Sequence, residues 1–232
     1  MDGVILAGGI GTRMLPLTDT TPKPLLDIQG RPILEWSLLN LQGLVDQVLV
    51  VVNYKQDQIE AYMGRQHIIP RYRLVEQRPQ PLGTGHALQC CQPYLTSREF
   101  LVINGDDLYD RESLKKLAAQ PLGILAALRD DPARFGVLTA NENGRLIRIE
   151  EKPENFPSPS LVNAGAYKLD SRVFDYELKK SARDEYEITD YVQYIAYKYE
   201  MRVVPGQFWF PVGRPADLAA AQTLDLQTLI PS

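Results

Sequence analysis

Short runs of apolar residues alternate with amphipathic stretches along the first half of the chain. The runs at 3–7, 47–53 and 99–105 are continuously apolar, which is typical of strands buried on both faces of a sheet. The other elements of this half are a strand at 71–77 and helices at 33–44, 56–64 and 83–95. Strands that alternate with helices form βαβ units with right-handed crossovers. The pattern therefore predicts an α/β fold with a mostly parallel sheet.

The pattern changes after about residue 120, where strand-like segments follow one another with fewer helices between them. These segments are 124–130, 135–140, 145–153, 163–170, 201–204 and 207–212. Helices are predicted at 171–180, 188–199 and 215–226. We find no internal repeat and interpret 1–232 as a single domain with halves at about 1–120 and 121–232. The proline- and serine-rich segment 152–160 predicts a mobile loop.

The first apolar run leads directly into a segment with unusual chemistry, which reads LAGGIGTRMLPLTDTTPKPL. Its three closely spaced glycines leave backbone N–H groups open to close approach by a ligand; they are Gly8, Gly9 and Gly11. Arg13 and Lys23 add two cations to the same segment. This combination suits a phosphate group, although a plain turn after a strand is the alternative interpretation.

Two common phosphate motifs do not fit this segment. The Walker loop needs Ser or Thr after its lysine, whereas Pro24 follows Lys23. The dinucleotide fingerprint needs a third glycine where Met14 stands. Ligands of open α/β sheets collect at the carboxyl ends of the strands. This rule places the glycine segment, the segment 77–85 and Asp106 on one rim of the predicted sheet.

Composition narrows the partners and the compartment. The chain has 232 residues, of which 44% are hydrophobic and 23% charged, and a formal net charge of −4, whereas nucleic-acid-binding domains carry a basic surface. Its two cysteines, Cys90 and Cys91, are adjacent, and it has two histidines, which argues against a zinc site. Signal-peptide and membrane-span patterns are lacking. We therefore expect a cytoplasmic protein that binds neither nucleic acid nor membrane.

Further motifs follow the glycine segment in a fixed order. The segment itself reads GGxGTRxxPLT and then PKP; the others are EQRPQPLGTGHAL (76–88), INGDD (103–107), FGV (135–137), EEKP (150–153), NAGAY (163–167), YEITD (186–190) and FWFPVGRPADL (208–218). In these motifs the chain resembles the sugar-1-phosphate nucleotidyltransferases (NDP-sugar pyrophosphorylases), including their thymidylyltransferase and uridylyltransferase branches. The resemblance covers nearly the whole chain. It implies a Rossmann-like, GT-A-like three-layer α/β/α fold with a mixed, mostly parallel central sheet.

The resemblance also implies a reaction. A sugar-1-phosphate oxygen attacks the α-phosphorus of a nucleoside triphosphate, and pyrophosphate leaves. Such chemistry depends on in-line positioning and on neutralisation of phosphate charge. The implied partners are a nucleoside triphosphate and a sugar-1-phosphate, the implied cofactor is Mg²⁺, and assembly into a homo-oligomer stays open.

The matching positions imply roles in both halves of the chain. Four residues are implied to be catalytic: Arg13 and Lys23 at the nucleotide phosphates, Asp106 as the Mg²⁺ ligand, and Lys152 at the sugar phosphate. The implied nucleotide-binding residues are Leu6, Ala7, Gly8, Gly9, Gly11, Thr12, Arg13, Lys23, Gln77, Gly83 and Thr84. The implied sugar-phosphate-binding residues are Gly136, Glu151, Lys152 and Asn163.

The stretch that reads the base favours a pyrimidine nucleotide. Gln77 and the Gly83–Gly85 loop match this stretch, and the GTGHAL string resembles the uridylyltransferase branch. A glutamine amide offers a donor and an acceptor together, which suits the imide edge of uracil or thymine. We therefore favour UTP or dTTP as the nucleotide.

The chain departs from the family at one motif. Most relatives carry W-x-D-x-G, whose aspartate is a second Mg²⁺ ligand, but here Pro211 stands at that position. Either Asp106 suffices together with substrate phosphates, or Asp107 or Asp217 replaces the ligand, or the protein binds sugar nucleotides without turnover. The main alternative function is thus a non-catalytic or regulatory nucleotide-sugar-binding subunit. A nucleotide-sugar-dependent glycosyltransferase with an acidic metal motif is a second alternative.

For several other side chains the sequence favours structural roles. We expect core positions for Trp36, Cys90, Cys91 and Trp209, and a packing or capping role for His86. Asp107 is expected to be solvated or part of a turn. Glu187 either supports the site or contacts the sugar.

Overall fold

A computed structural model describes residues 1–230 of the chain. In chain order the strands are β1 (Asp2–Leu6), β2 (Asp27–Ile28), β3 (Arg31–Pro32), β4 (Gln47–Val52), β5 (Tyr72–Glu76), β6 (Glu99–Asn104), β7 (Asp107–Tyr109), β8 (Gly123–Arg129), β9 (Gly136–Ala140), β10 (Leu146–Glu151), β11 (Ser160–Asp170), β12 (Arg202–Pro205) and β13 (Trp209–Pro211). The α-helices are α1 (Ile33–Leu41), α2 (Gln56–Met63), α3 (Thr84–Cys91), α4 (Arg111–Ala118), α5 (Ile188–Lys198), α6 (Pro215–Ala221) and α7 (Leu226–Leu229).

Nine strands form the central sheet. Strand β1 lies between β4 and β6, and β5 extends the sheet beyond β4; these four strands are parallel. Strand β11 runs antiparallel to β6 and β8, and β12 is parallel to β8. Strands β9 and β10 form an antiparallel pair beside the start of β11. The sheet is therefore mixed, and the fold class implied by the resemblance is confirmed.

Alternate residues of the parallel strands belong to different cores on the two faces of the sheet. Val4 and Val51 pack with apolar residues of α3 and α5, whereas Ile5 and Val50 pack with those of α1, α2 and α4. Because helices cover both faces, the continuous apolar runs of β1 and β4 have no side that faces solvent. The arrangement is the expected three-layer α/β/α fold.

A third, smaller apolar cluster joins the beginning of the chain to its end. Met14 and Trp36 pack there with Leu108, Val212 and Leu226. Two small antiparallel sheets, formed by β7 with β13 and by β2 with β3, accompany this cluster. The segment that follows β1 is therefore anchored by residues from the C-terminal part of the chain.

Two predicted helices differ from the observed structure. In place of the helix at 171–180 the chain forms only a 3-10 helix at Ser171–Asp175, and an irregular segment leads from there to α5. The helix at 215–226 is divided into α6 and α7. The other predicted elements are present with shifted boundaries, and the mobility of 152–160 stays a prediction.

One helix, α4, was not predicted from the sequence. It begins where the carboxylate of Asp110 accepts a hydrogen bond from Ser113 N at 2.8 Å, which is a standard N-cap. It buries Leu114 and Leu117 against the sheet. Within residues 1–230 no helix has the length and apolar character needed to cross a membrane.

Candidate active site

The carboxyl ends of β1, β5 and β6 open onto a cleft of about 500 Å³. Its lining includes every residue to which the resemblance assigns nucleotide binding: Leu6, Ala7, Gly8, Gly9, Gly11, Thr12, Arg13, Lys23, Gln77, Gly83 and Thr84. Asp106 lines the same cleft. The rim predicted from strand order thus brings three distant segments of the chain together.

The glycine segment is held in a fixed shape. Gly11 adopts the left-handed conformation, with φ of 72°, and a Cβ there would lie 3.1 Å from Thr18 and 3.2 Å from Lys23. The Thr18 hydroxyl donates a hydrogen bond to Gly11 O at 2.9 Å, and Met14 is fully buried in the third cluster. No atom lies within 4 Å of where a Gly9 Cβ would be. The backbone is therefore anchored on one side and open on the other.

The two predicted cations occupy different environments in the cleft. The side chain of Lys23 is only 8% exposed, and its ammonium forms an ion pair with Asp106 Oδ2. Arg13, by contrast, is solvent-exposed at the lining of the cleft. Lys23 is thus a fixed charge at the floor of the cleft, and Arg13 is a charge at its opening.

The adjacent carboxylates Asp106 and Asp107 face opposite ways. Asp107 is buried and accepts hydrogen bonds at its Oδ2 from Asn104 Nδ2 at 3.2 Å and Trp209 Nε1 at 3.1 Å. Burial, with the neighbouring charge of Asp106, raises the pKa of Asp107 to about 7. The expectation that Asp107 is solvated is therefore wrong, because β7 turns it into the protein while Asp106 stays on the cleft.

Asp217 has a structural role, because it binds backbone N–H groups at the start of α6. Its Oδ2 accepts hydrogen bonds from Gly213 N at 2.9 Å and Arg214 N at 2.8 Å, at the start of α6. Pro211 lies opposite Asp107 in the β7–β13 pair, so the position of the missing family aspartate is beside the acidic pair. Of the three candidate carboxylates, Asp106 is the one that lines the cleft.

The donor set at the cleft fits a lightly held Mg²⁺ ion. Residues 1–230 contain no cluster of three or more His, Cys, Asp or Glu side chains able to enclose a metal. Mg²⁺ usually binds through one or two carboxylates together with water and substrate phosphates. The half-exposed carboxylate of Asp106, which lines the same cleft as the glycine segment, fits that mode.

The far end of the cleft is built around the Gln77 amide. Gln77 Nε2 donates a hydrogen bond to Gly83 O at 2.9 Å, and Gln77 N donates one to Val52 O at 3.0 Å. Gly83 has φ of 99°, and a Cβ on it would lie 2.6 Å from Tyr186 O. A glycine is therefore required where this loop meets the segment before α5.

The residues assigned to the sugar phosphate lie outside the lining of the cleft. Glu151 pairs with Gly136 across β9 and β10, and a Cβ on Gly136 would lie 3.0 Å from Glu151 Oε2 and 3.7 Å from Asn163 Cβ. Lys152 has a positive φ of 45° and donates its N–H to Phe135 O at 3.0 Å. Gly136, Glu151 and Asn163 thus lie next to one another as a second group of residues, and the half-exposed Lys152 follows Glu151.

A close backbone contact connects this second group to the cleft. Asn163 Oδ1 accepts a hydrogen bond from Gly165 N at 2.9 Å. Gly165 has φ of 71°, and a Cβ on it would lie 2.1 Å from Nδ2 of Asn104, which lines the cleft. Only a glycine fits between this second group and the cleft.

Sequence reasoning missed some cleft residues and misjudged others. Asn104 lies within the INGDD motif and could have been found there, whereas Glu185 precedes α5 in an irregular segment that carries no periodic signal. Trp209 is partly buried and packs against the core, and its Nε1 donates to Asp107. Glu187 accepts hydrogen bonds from Ser181 and Arg183, and His86 contacts Gln77.

A glycine-rich loop, two cations and one open carboxylate meet at the carboxyl ends of parallel strands, where α/β proteins typically bind their ligands. Residues 2–228 match the family model described as nucleotidyl transferase. The chain belongs to this family, and the family predicted from the motifs is confirmed.

Two curated relatives illustrate the similarity in sequence. The bifunctional protein GlmU of Methanocaldococcus jannaschii is 34% identical over 224 residues, which cover 95% of this chain and 53% of that protein. The bifunctional sugar-1-phosphate nucleotidylyltransferase/acetyltransferase of Sulfurisphaera tokodaii is 28% identical over 237 residues, covering 99% of this chain and 57% of that protein. The chain spans about half the length of these relatives.

Solved structures share the fold. A protein described as a glucose-1-phosphate thymidylyltransferase from Bacillus anthracis, in complex with a sucrose, has a TM-score of 0.82 and 29% identity, covering 96% of this chain and 94% of that chain. A UDP-glucose pyrophosphorylase complexed with UDP-glucose has a TM-score of 0.84 and 23% identity, covering 95% of this chain and 96% of that chain. At that identity the second likeness concerns the fold alone.

Proposed function

We propose that the chain transfers a nucleotidyl group from UTP or dTTP to a sugar-1-phosphate, in a Mg²⁺-dependent reaction that releases pyrophosphate. The observation that carries the proposal is the single cleft in which the glycine loop, Arg13, Lys23 and Asp106 meet. The Sulfurisphaera tokodaii relative is described as a sugar-1-phosphate nucleotidylyltransferase/acetyltransferase, which supports the same reaction class.

In this reaction the protein positions phosphates and neutralises their charge. The backbone of Gly8, Gly9 and Gly11 approaches the triphosphate, and Lys23 supplies a fixed positive charge at the floor of the cleft. Arg13, which is free to follow the departing pyrophosphate, stabilises the charge that develops on it. Preorganised groups of this kind cost little reorganisation at the moment of reaction.

Asp106 is the residue that would hold Mg²⁺. When bound there, the metal supplies Lewis-acid charge on the phosphate oxygens. The ion pair with Lys23 keeps the Asp106 carboxylate at the floor of the cleft, and substrate phosphates and water complete a Mg²⁺ site of this kind. A second protein carboxylate at position 211 is then dispensable.

The sugar-1-phosphate is proposed to bind beside the second group of polar residues. Lys152 would cancel repulsion between the two phosphorylated substrates, because its side chain is half-exposed and follows directly on β10. Glu151, Asn163 and the backbone of Gly136 offer acceptors and donors to sugar hydroxyls. Gly165 and Asn104 connect this group to the nucleotide cleft.

One observation favours a second candidate function. Pro211 stands beside the acidic pair where relatives carry a carboxylate, so a nucleotide-sugar-binding subunit without turnover is the main rival. A glycosyltransferase is disfavoured, because it handles a diphosphate sugar and needs no pair of cations for departing pyrophosphate.

The experiment measures pyrophosphate release with Mg²⁺ while UTP, dTTP, GTP, CTP and ATP are each combined with several sugar-1-phosphates. The proposal expects release with UTP or dTTP that requires both a sugar-1-phosphate and Mg²⁺. If no combination releases pyrophosphate while calorimetry still detects binding of a nucleotide or nucleotide-sugar, the result would favour the binding subunit. Transfer from ready-made UDP-sugars without pyrophosphate release would favour the glycosyltransferase.

A further inference from the structure

The Gln77 amide nitrogen has both of its protons engaged inside the protein. One faces Gly83 O at 2.9 Å, and the other faces His86 Nδ1 at 3.1 Å. A primary amide nitrogen carries two N–H donors and no more. The side chain therefore has no donor left to offer to a ligand in the cleft.

These two contacts also define the proton on His86. Since Gly83 O can only accept, it requires the amide nitrogen rather than the amide oxygen beside it. The second N–H of that nitrogen then points at His86 Nδ1, which must accept. His86 is thus neutral, with its proton on Nε2, and that nitrogen lies 3.7 Å from Cys90 Sγ. Partial burial, which lowers the pKa of His86, agrees with a neutral ring.

The amide oxygen is the part of Gln77 that remains for a ligand. A Cβ on Gly8 would lie 3.2 Å from Gln77 Oε1, so this oxygen lies beside the glycine loop of the cleft. Gln77 is only 3% exposed but lines the cleft. Among residues 1–230 its amide oxygen accepts no hydrogen bond, and it is not one of the fully buried side-chain atoms that lack a partner. The expectation that the Gln77 amide offers a ligand both a donor and an acceptor is therefore revised, since it offers an acceptor alone.

We infer that His86 is a positioning residue that locks the Gln77 amide with its oxygen toward the cleft, so that the site selects a nucleobase carrying a ring N–H. Uracil and thymine present such a donor at N3, whereas the N3 of cytosine is an acceptor and would meet the amide oxygen lone pair to lone pair. Guanine also carries a ring N–H, at N1, whereas the N1 atom of adenine is an acceptor. This inference rests on the proposed function, for which it names the edge of the base that is read.

His86 acts through Gln77 and not on the nucleotide. It is absent from the residues that line the cleft, whereas Gln77 lines it. The backbone of Gln77 is fixed independently, since its N–H donates to Val52 O at 3.0 Å and its carbonyl accepts from Asn53 Nδ2 at 3.0 Å. A change at His86 therefore frees the amide to rotate without moving the main chain that carries it.

Calorimetry with UTP, CTP and N3-methyl-UTP tests the inference on the full chain, because binding needs no sugar. Wild type should bind UTP at least about tenfold more tightly than either analogue, the effect of one misplaced buried hydrogen bond. His86→Asn keeps an acceptor near the position of Nδ1 and should retain the ratio. His86→Leu has none and should reduce the UTP to CTP ratio at least several-fold. Gln89→Leu, at an exposed position on the same helix, is the matched control and should leave the ratio unchanged.

Equal affinities of wild type for UTP and CTP, or an undiminished ratio in His86→Leu, would overturn the inference. If His86→Leu fails to fold, as judged by circular dichroism, the UTP to CTP ratio of wild type at acidic pH decides the matter, because a protonated His86 cannot accept from the Gln77 amide. A fall of the ratio in wild type and a constant ratio in His86→Asn would support the inference, and a ratio in wild type that does not change would overturn it. Pyrophosphate release from UTP without base discrimination would overturn this inference alone. Failure to bind any nucleotide would overturn the proposed function and the inference together.

Discussion

Lys23 and Asp106, 83 positions apart in the chain, form an ion pair at the floor of the cleft. The lysine side chain is 8% exposed and the aspartate side chain 37% exposed, so the cation is enclosed while the carboxylate still faces the cleft. A buried charge needs a nearby partner of opposite sign. The pair therefore fixes the relative positions of the ammonium that we assign to the nucleotide phosphates and the carboxylate that we assign to Mg²⁺.

The first prediction concerns Asp106, the proposed metal ligand. Asp106→Asn should lower Mg²⁺-dependent turnover by about 100-fold or more, the usual effect of losing a group that stabilises transition-state charge. Steady-state rates across a Mg²⁺ titration measure it. Asp217→Asn is the control, because the amide oxygen can still accept from the N–H groups at the start of α6, and its Mg²⁺ curve should match wild type. A Mg²⁺ response that is lost in the Asp217 variant and kept in the Asp106 variant would move the metal to the other carboxylate.

The second prediction concerns Arg13. Because this residue is placed at the departing pyrophosphate, Arg13→Ala should reduce kcat by about 10²–10³-fold, with little change in KM for the sugar-1-phosphate. Arg13→Lys should recover part of the rate, since it keeps the charge and loses the planar fork. Initial rates with the preferred nucleotide measure both variants. An unchanged kcat in Arg13→Ala would remove Arg13 from the mechanism.

The third prediction separates the sugar end from the nucleotide end. Lys152→Gln should raise KM for the sugar-1-phosphate about tenfold, the loss of about 1.4 kcal/mol of attraction to a phosphate, while KM for the nucleotide stays near wild type. Lys152→Arg should retain most of the affinity. A matching rise in both KM values would place Lys152 at the triphosphate instead.

The fourth prediction concerns the contribution of the Gly83–Gly85 loop to the stability of the protein. Gly83→Ala should lower the free energy of unfolding by about 1–3 kcal/mol, because Gly83 has φ of 99° and a Cβ there would meet Tyr186 O at 2.6 Å. Gly9→Ala is the control, since its Cβ would meet no atom within 4 Å, and it should change stability by less than about 0.5 kcal/mol. Urea unfolding of both variants provides the comparison. Equal stability of the two variants would show that the loop adapts to a side chain.

The fifth prediction concerns pH. Neutral His86 accepts from the Gln77 amide, and a protonated ring cannot, so the preference for UTP over CTP should fall as the solution becomes more acidic. Burial lowers the pKa of His86, which places the midpoint below the ordinary histidine value of about 6.5. The titratable groups facing the ring are Cys90 and Tyr186, and the backbone of Arg78 also contacts it.

Calorimetry with both nucleotides across this pH range measures the effect. His86→Asn, which does not titrate there, should show a constant ratio. A ratio in wild type that rises on acidification would contradict the assigned tautomer.

The parallel half of the fold was readable from the sequence, because strands buried on both faces leave continuous apolar runs. The prediction of a helix at 171–180 was wrong. The end of this segment takes part in contacts distant in sequence, because Lys180 forms an antiparallel bridge with Tyr186, and Tyr186 is held in turn by the Gly83–Gly85 loop. Tyr186 N donates to Leu82 O, and Gly85 N donates to Tyr186 O, both at 2.7 Å. Helix α4 was missed although its Asp110 cap and paired leucines carry the usual signals.

The sequence predicted which residues belong to the candidate site better than it predicted their orientations. Motif order identified many of the residues that line the cleft, including Gln77 and Asp106, and missed others such as Asn104 and Glu185. The opposite orientations of Asp106 and Asp107 could not be read from two identical neighbouring letters, because β7 and the Trp209 indole determine them. The contact of His86 with Gln77 depends equally on how α3 meets β5.

The most direct test of the central claim follows the α-phosphate itself. UTP or dTTP labelled at the α-phosphorus is incubated with Mg²⁺ and the sugar-1-phosphates, and the products are separated by chromatography. Nucleotidyl transfer predicts label in an NDP-sugar only when a sugar-1-phosphate is present, and loss of that product in Asp106→Asn. Label that stays in the triphosphate, or appears only in the monophosphate, would contradict the account.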